Sequence, residues 1–244
     1  MHMKAGPTHY AERPMRKRRG FSLMELLVVI GLIAGLSVFL VGNLSSGGRS
    51  SALQSAQATA ANMLAATRMK AMASGQSVRF LVNVDLNSTA SPSRYLRYVA
   101  IQVQVAGVWQ PVADAYLPEG VYVVPGNFAT IPAGLFPPTA SDGTPLRWLK
   151  ADGSNLRSTS LRAASVSAEQ INSPVAEQWV NLPITATGTT GSSGDLILAL
   201  GRQRPPGSFT TGESPIELEH PEKVRGLTVS LYGVAAMINS LSSF

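Results

Sequence analysis

The chain has 244 residues, no cysteine and 45% hydrophobic residues, with 20 Lys+Arg against 14 Asp+Glu. The absence of cysteine excludes disulfides, thiol catalysis and thiolate metal sites. Six of the basic residues (Lys4, Arg13, Arg16, Lys17, Arg18, Arg19) and only one acid (Glu12) fall in residues 1–20, a net +5 of the formal +6. The rest of the chain is nearly neutral, which excludes a globally basic nucleic-acid-binding surface.

The N-terminal segment comes first in the chain and in information. Arg16, Lys17, Arg18 and Arg19 precede Gly20 and Phe21, and no charged residue occurs from Leu26 to Val41. As a helix, Phe21 to Val41 would measure about 31 Å, enough to cross the hydrocarbon core. The basic side orients such a span with its N-terminus in the cytoplasm and residues 44–244 outside. Glu25 lies inside the apolar zone, where an ionised group costs roughly 2.5–3.5 kcal/mol at mid-bilayer depth. A retained acid there calls for a partner. On a helix, Phe21 and Glu25 are one turn apart on one face. A cut before Phe21 would create an ammonium group able to pair with Glu25, in the same chain or in a neighbour. An ordinary secretory signal peptide and a plain single-pass anchor, with Glu25 reaching the headgroups, are the competing readings.

This junction resembles the class III signal of type IV prepilins and type II secretion pseudopilins. The resemblance implies cleavage between Gly20 and Phe21 by a prepilin peptidase that recognises Arg16–Arg19. It implies N-methylation of Phe21 and a role for Glu25 in assembly. The implied partners are other pilin or pseudopilin subunits, the peptidase/methyltransferase and membrane lipids, with no small-molecule substrate and no cofactor. The implied location is the bacterial inner membrane, as a single-pass protein with its C-terminal domain periplasmic or extracellular.

The remaining chain reads as one domain of about 200 residues, large enough for a real core. Ser45-Ser46-Gly47-Gly48 suggests a flexible joint, or a helix end and restart. From Arg49 to Ser74, residues Leu53, Ala56, Ala60, Met63, Leu64, Thr67 and Ala71 recur at spacings of three and four and predict one buried helix face. Gly75 is placed to cap that helix. Met63, Met69 and Met72 read as core or flank. The period then becomes two. Val78–Leu86 predicts a half-buried strand, Tyr95–Val105 a second, Val108–Leu117 a third and Val121–Val124 a fourth, joined as an antiparallel meander. The stretch Arg68 to Phe80 is similar to the region after the long helix in GspH/FimT-type minor pseudopilins. Trp109-Gln110-Pro111-Val112 with Leu117-Pro118-Glu119-Gly120-Val121 is similar to the Verru_Chthon cassette protein D subgroup. Residues 125–194 read as a loop-rich insertion. In it Phe128, Leu135 and Phe136 pin a loop, Ser158–Ile171 forms a short helix, Trp179–Ile184 a strand and Thr185–Gly194 a linker. Asp195–Leu200 and Val224–Leu231 are the last strands, and Val234–Leu241 an apolar tail. The expected fold class is α+β and pilin-like, a long N-terminal helix packed on an antiparallel sheet. The expected organisation is leader 1–20, membrane and assembly helix 21–44, Gly joint and amphipathic helix 45–77, and β-rich domain 78–244.

No catalytic set emerges, and the chain reads as a non-enzyme with no metal site. His2 and His9 leave with the leader, so His220 stands alone. Gly191-Ser192-Ser193-Gly194 lacks the Gly-x-Ser-x-Gly spacing of a nucleophile elbow. Glu213, Glu217, Glu219 and Glu222 form an acidic run that reads as a solvated loop, with Ca²⁺ binding the alternative. Arg202, Arg204, Lys223 and Arg225 offer possible phosphate contacts. Some FimT-like minor pilins bind DNA through C-terminal basic residues, so a DNA-binding minor pilin of an uptake system is the second functional reading. The first is a minor pilin or pseudopilin subunit of a type II secretion-like pseudopilus or type IV pilus.

Overall fold

A computed structural model describes residues 23–86, 92–126, 131–136, 148–150, 152–166 and 177–244. The side chains of residues 23, 25–47, 92 and 165 are outside that description. The chain divides into two units, Met1–Ser45 and Ser46–Phe244. Helix α1 spans Leu23–Ser74. Helical structure continues through Ser45–Gly48, where the sequence suggests a break. Two interior glycines cost about 2 kcal/mol together. Restarting a helix costs about 4 kcal/mol of nucleation, so propagation through them is the cheaper course. Gly75 ends the helix with φ +62°, the left-handed conformation of a C-cap glycine.

Among the described residues of Ser46–Phe244, ten strands form two antiparallel sheets. The first has the order β3-β2-β1-β6-β5. Its strands are β1 (Val78–Asn83), β2 (Tyr98–Val105), β3 (Val108–Tyr116), β5 (Arg162–Val166) and β6 (Glu177–Ile184). The second has the order β10-β9-β7-β4, with β8 also on β7. It is built from β4 (Val121–Val123), β7 (Gly194–Gln203), β8 (Ile216–Glu219), β9 (Arg225–Val229) and β10 (Ala235–Ile238).

The expected helix face is buried: Leu53, Ala56, Ala60, Leu64, Thr67 and Ala71 are each 3% exposed or less. Small side chains let the helix backbone approach both sheets. Leu53, Ala56, Ala60 and Leu64 pack with Phe80, Val82, Val180 and Leu182 of the first sheet, and with Leu196, Leu198, Leu227 and Val229 of the second. Met63 is part-buried against this core, whereas Met69 and Met72 are exposed. A second core lies around Tyr122, Ile197, Ala199, Ile216 and Leu218, where Leu135 and Phe136 are pinned as expected. Phe128 lies outside the described residues.

Four expectations are corrected. The first three strands do form a meander, but β4 leaves it and pairs with β7, Val121 opposite Leu200. The single expected sheet is therefore two. Strand β1 is buried on both faces, not one. Arg79 and Asn83 are accommodated there by hydrogen bonds: Arg79 donates to Gln102 Oε1 at 2.9 and 2.6 Å, and Asn83 to Glu177 Oε2 at 3.1 Å. Ser158–Ile171 is no helix where it is described. Arg162–Val166 pairs in register with Asn181–Glu177 of β6, and tertiary pairing overrides a weak Ala/Ser preference. Thr185–Gly194 is a fixed turn: Gly188 N donates to Thr185 O at 2.8 Å and Thr190 N to Leu231 O at 2.8 Å. Strand β8 and the pairing of the apolar tail as β10 were not anticipated. Gly226 on β9 shows why glycine is needed there, since a Cβ would lie 2.7 Å from the Phe244 ring.

Candidate assembly segment

The junction residues Arg16, Lys17, Arg18, Arg19, Gly20 and Phe21 lie outside the described residues. Glu25 lies within α1, and its side chain is outside the description. Among the described residues no helix is long and apolar enough to cross a membrane. The run 26–41, where the sequence places the span, belongs to the part whose side chains are not described.

Three polar ties fix the outer part of α1 to the second sheet and its loops. Arg49 Nη1 meets Glu219 Oε2 at 3.3 Å. Gln57, 1% exposed, donates from Nε2 to both Gly226 O and Ile238 O at 2.8 Å. Arg68 Nε donates to Tyr232 O at 3.0 Å and Gly188 O at 3.3 Å. A buried amide whose donors are matched gives direction to a contact that alanine packing leaves unspecified. For Arg49 and Gln57 the sequence signal is a polar residue beside a small-residue stripe, whereas Arg68 already begins the stretch similar to GspH/FimT-type minor pseudopilins.

The four basic residues singled out from the sequence are mostly engaged within the fold. Arg202 donates to Glu217 Oε2 at 2.9 Å and meets Glu219 Oε1 at 3.2 Å. Glu217, through hydrogen bond and charge, raises the Arg202 pKa. Arg204 meets Glu213 Oε2 at 3.5 Å and donates to Ser214 O and Ser208 O. Arg225 Nη1 reaches Gln57 Oε1 and Asn239 Oδ1, each at 3.5 Å. Lys223 is exposed at the end of a short 3-10 turn. Glu222 lies 3.1 Å from His220 Nδ1. The acidic run and the basic cluster thus answer each other. Among the described residues no group of three or more His, Asp and Glu is placed to hold a metal ion.

A buried ionic network was missed from the sequence. Arg94 Nη2 lies 3.0 Å from Glu177 Oε2, with side chains 6% and 2% exposed. The Arg94 guanidinium stacks over Tyr98 at 4.2 Å. Arg79 stacks on Trp109 at 4.1 Å, and burial lowers its pKa to about 10. Arg94, in the 3-10 turn Pro92–Arg94 before β2, and Glu177, at the start of β6, are 83 residues apart in the chain, so no local pattern reports them.

Residues 15–40 match the prokaryotic N-terminal methylation motif. That match encloses the basic run, Gly20, Phe21, Glu25 and nearly all of the uncharged stretch. The motif covers the N-terminal segment, and no curated protein matches the chain. Two solved structures show a distant likeness. One is the crystal structure of the type IV minor pilin FimU of Pseudomonas aeruginosa (strain PAO1), at 12% identity over 79% of this chain and 90% of that one, with a TM-score of 0.36. The other is the minor pseudopilin EpsH from the Type 2 Secretion System of Vibrio cholerae, at 16% identity over 78% and 96%, with a TM-score of 0.38.

Proposed function

We propose that the chain is a minor pilin or pseudopilin subunit of a type II secretion-like pseudopilus or a type IV pilus, and not an enzyme. The observation that carries this reading is the methylation motif at residues 15–40. A leader ends at Gly20, and a peptidase/methyltransferase releases and methylates Phe21. The apolar stretch from Phe21 to Val41 anchors the subunit in the inner membrane, with residues 44–244 on the far side. In the assembled filament the Phe21 amine of one subunit docks against Glu25 of another. The pairing removes most of the penalty of a lone charge in an apolar surrounding. The compact α+β unit, held on the outer half of α1 by an alanine-rich face and three polar ties, then presents its loops to partner subunits.

The test is Glu25→Ala in the native host. The variant is expected to enter the membrane and to be cleaved normally, but to be missing from sheared filaments or from the pseudopilus fraction. Normal incorporation refutes the assembly role. The DNA-uptake reading finds no support in the basic cluster, because Arg202 and Arg204 are committed to Glu217, Glu219 and Glu213.

A further inference from the structure

Exposed apolar side chains gather where the last turns of α1 meet the β9–β10 turn. Met69 and Met72, one turn apart on the helix, stand beside Leu231, Tyr232 and Val234, and all five are exposed. The contacts between the two elements are direct. Arg68 Nε donates to Tyr232 O at 3.0 Å and Gly188 O at 3.3 Å. A Cβ on Gly188 would lie 2.9 Å from Met72 Cγ, and one on Gly233 would meet Gly188 O. The turn itself is fixed, since Gly233 N donates to Ser230 O and Ser230 N to Val234 O, each at 2.9 Å. Single exposed hydrophobics are ordinary, but a contiguous cluster marks a contact surface. Tyr, Met and Arg are residues enriched in the buried centre of protein interfaces. Arg68 is the cation of this cluster, and no carboxylate among the described residues pairs with it.

A matching surface lies on β3, an edge of the first sheet. Asp114 is exposed there, between exposed Val112 and Tyr116. It is hydrogen-bonded to Tyr98 and belongs to no ion pair among the described residues. Val112 is the extra residue of a bulge, since Gln102 pairs with Pro111 and Ile101 with Ala113. Bulge and proline both discourage strand addition at an edge, which leaves side chains as its means of contact. The two surfaces stand at different levels of the fold. Ala71, near the first, packs with Val78 and Val103. Asp114 pairs with Ala100, which is opposite Leu81, three residues further along β1 and so about 10 Å away. Two complementary surfaces at different levels of one molecule make a heterologous, head-to-tail contact. We propose that the Arg68 surface docks the β3 surface of a second copy of this chain, with Arg68 against Asp114 and Tyr232, Met69 and Met72 packed on Val112 and Tyr116. The inference rests on the filament-subunit reading above, and adds to it a contact between copies separate from the Phe21–Glu25 pairing.

The chain has no cysteine, so thiols can be placed singly in the full chain, expressed in its native host. Ala65→Cys, one turn before Arg68 on α1, and Ala113→Cys, beside Asp114, are both at exposed positions. A bismaleimide reagent is expected to link a copy carrying one to a copy carrying the other, and to give a ladder beyond the dimer when one chain carries both. Arg68→Glu in every copy, or Asp114→Lys in every copy, should lower the yield about tenfold, the low end for close charge pairs across an interface. Mixing copies of the two reversed variants should restore it, because unlike copies then meet with opposite charges. Tyr232→Ser, which spares the carbonyl that Arg68 holds, should lower the yield with the melting temperature unchanged. Four results overturn the proposal: chains that begin at Phe21 yet give no link, a yield untouched by the charge reversals or by Tyr232→Ser, no recovery in the mixture, or links solely to a different protein. Chains that do not begin at Phe21 would instead overturn the subunit reading, and this inference with it.

Discussion

Replacing Glu177 by Gln tests the buried network directly. The carboxylate is almost fully buried, lies 3.0 Å from Arg94 Nη2 and accepts from Asn83 Nδ2 at 3.1 Å. The Gln side chain has nearly the same shape, so no cavity opens. What changes is charge: the Arg94 cation stays buried between Tyr98 and Trp179 without its counter-ion. Breaking a buried pair from one side costs about 3–5 kcal/mol, a large part of the 5–15 kcal/mol that holds a typical domain together. The stacking on Tyr98 offsets only a fraction of this, on the order of 1 kcal/mol. For a unit of about 200 residues each kcal/mol moves the melting midpoint by about 2–4 °C, so the variant should melt roughly 10 °C lower. The assay is thermal unfolding of the full chain followed by tryptophan fluorescence, which Trp179 makes sensitive to this site. Arg94→Met combined with Glu177→Gln removes the stranded cation and should recover most of the loss. A single variant that melts within about 3 °C of the wild type, or a double variant no better than the single, would refute the argument.

Three further predictions concern packing, the helix ties and alkaline stability. Ala60→Leu places a large side chain where the helix touches both sheets at 1% exposure, and should destabilise by about 1–3 kcal/mol in denaturant titration. Met69→Ala, on the exposed side, should be nearly neutral in the same assay. Gln57→Leu removes both donors that tie α1 to Gly226 O and Ile238 O, and should cost about 1–3 kcal/mol with faster hydrogen exchange in β10. Burial pushes the phenols of Tyr95, Tyr98 and Tyr122 up. The folded chain then keeps protons that the unfolded chain releases above about pH 10. The contribution of these groups is present below that pH and lost as pH rises through it. Tyrosinate absorbance should therefore appear late and together with unfolding; early, independent ionisation of all six tyrosines would contradict it.

Local pattern made much of this fold readable. The buried face of α1 was legible because seven residues repeat at helical spacing, and β1, β2 and β3 because their alternation is long and, between β2 and β3, the turn is two residues. Two kinds of feature were not. The partition into two sheets depends on β4 choosing β7, a partner nearly 80 residues away, and a three-residue strand carries no mark of its mate. Residues 162–166 are short and rich in Ala and Ser, so their strand state is set by β6 and not by their own preference. At Gly47-Gly48 helical structure runs on, while the division into two units falls just before them, at Ser45. At the N-terminus the opposite holds: Arg16–Arg19, Gly20, Phe21 and Glu25 announce themselves by spacing alone, and the motif match falls on them. The basic residues near the C-terminus misled in the other direction, because linear proximity shows charges and not the acids folded against them.

The mature N-terminus isolated from the native host is the most direct measurement of the central claim. N-terminal sequencing with mass spectrometry should find a chain beginning at Phe21 and carrying a methyl group on its amine. A chain that still begins at Met1, or one that begins beyond Val41, would contradict it.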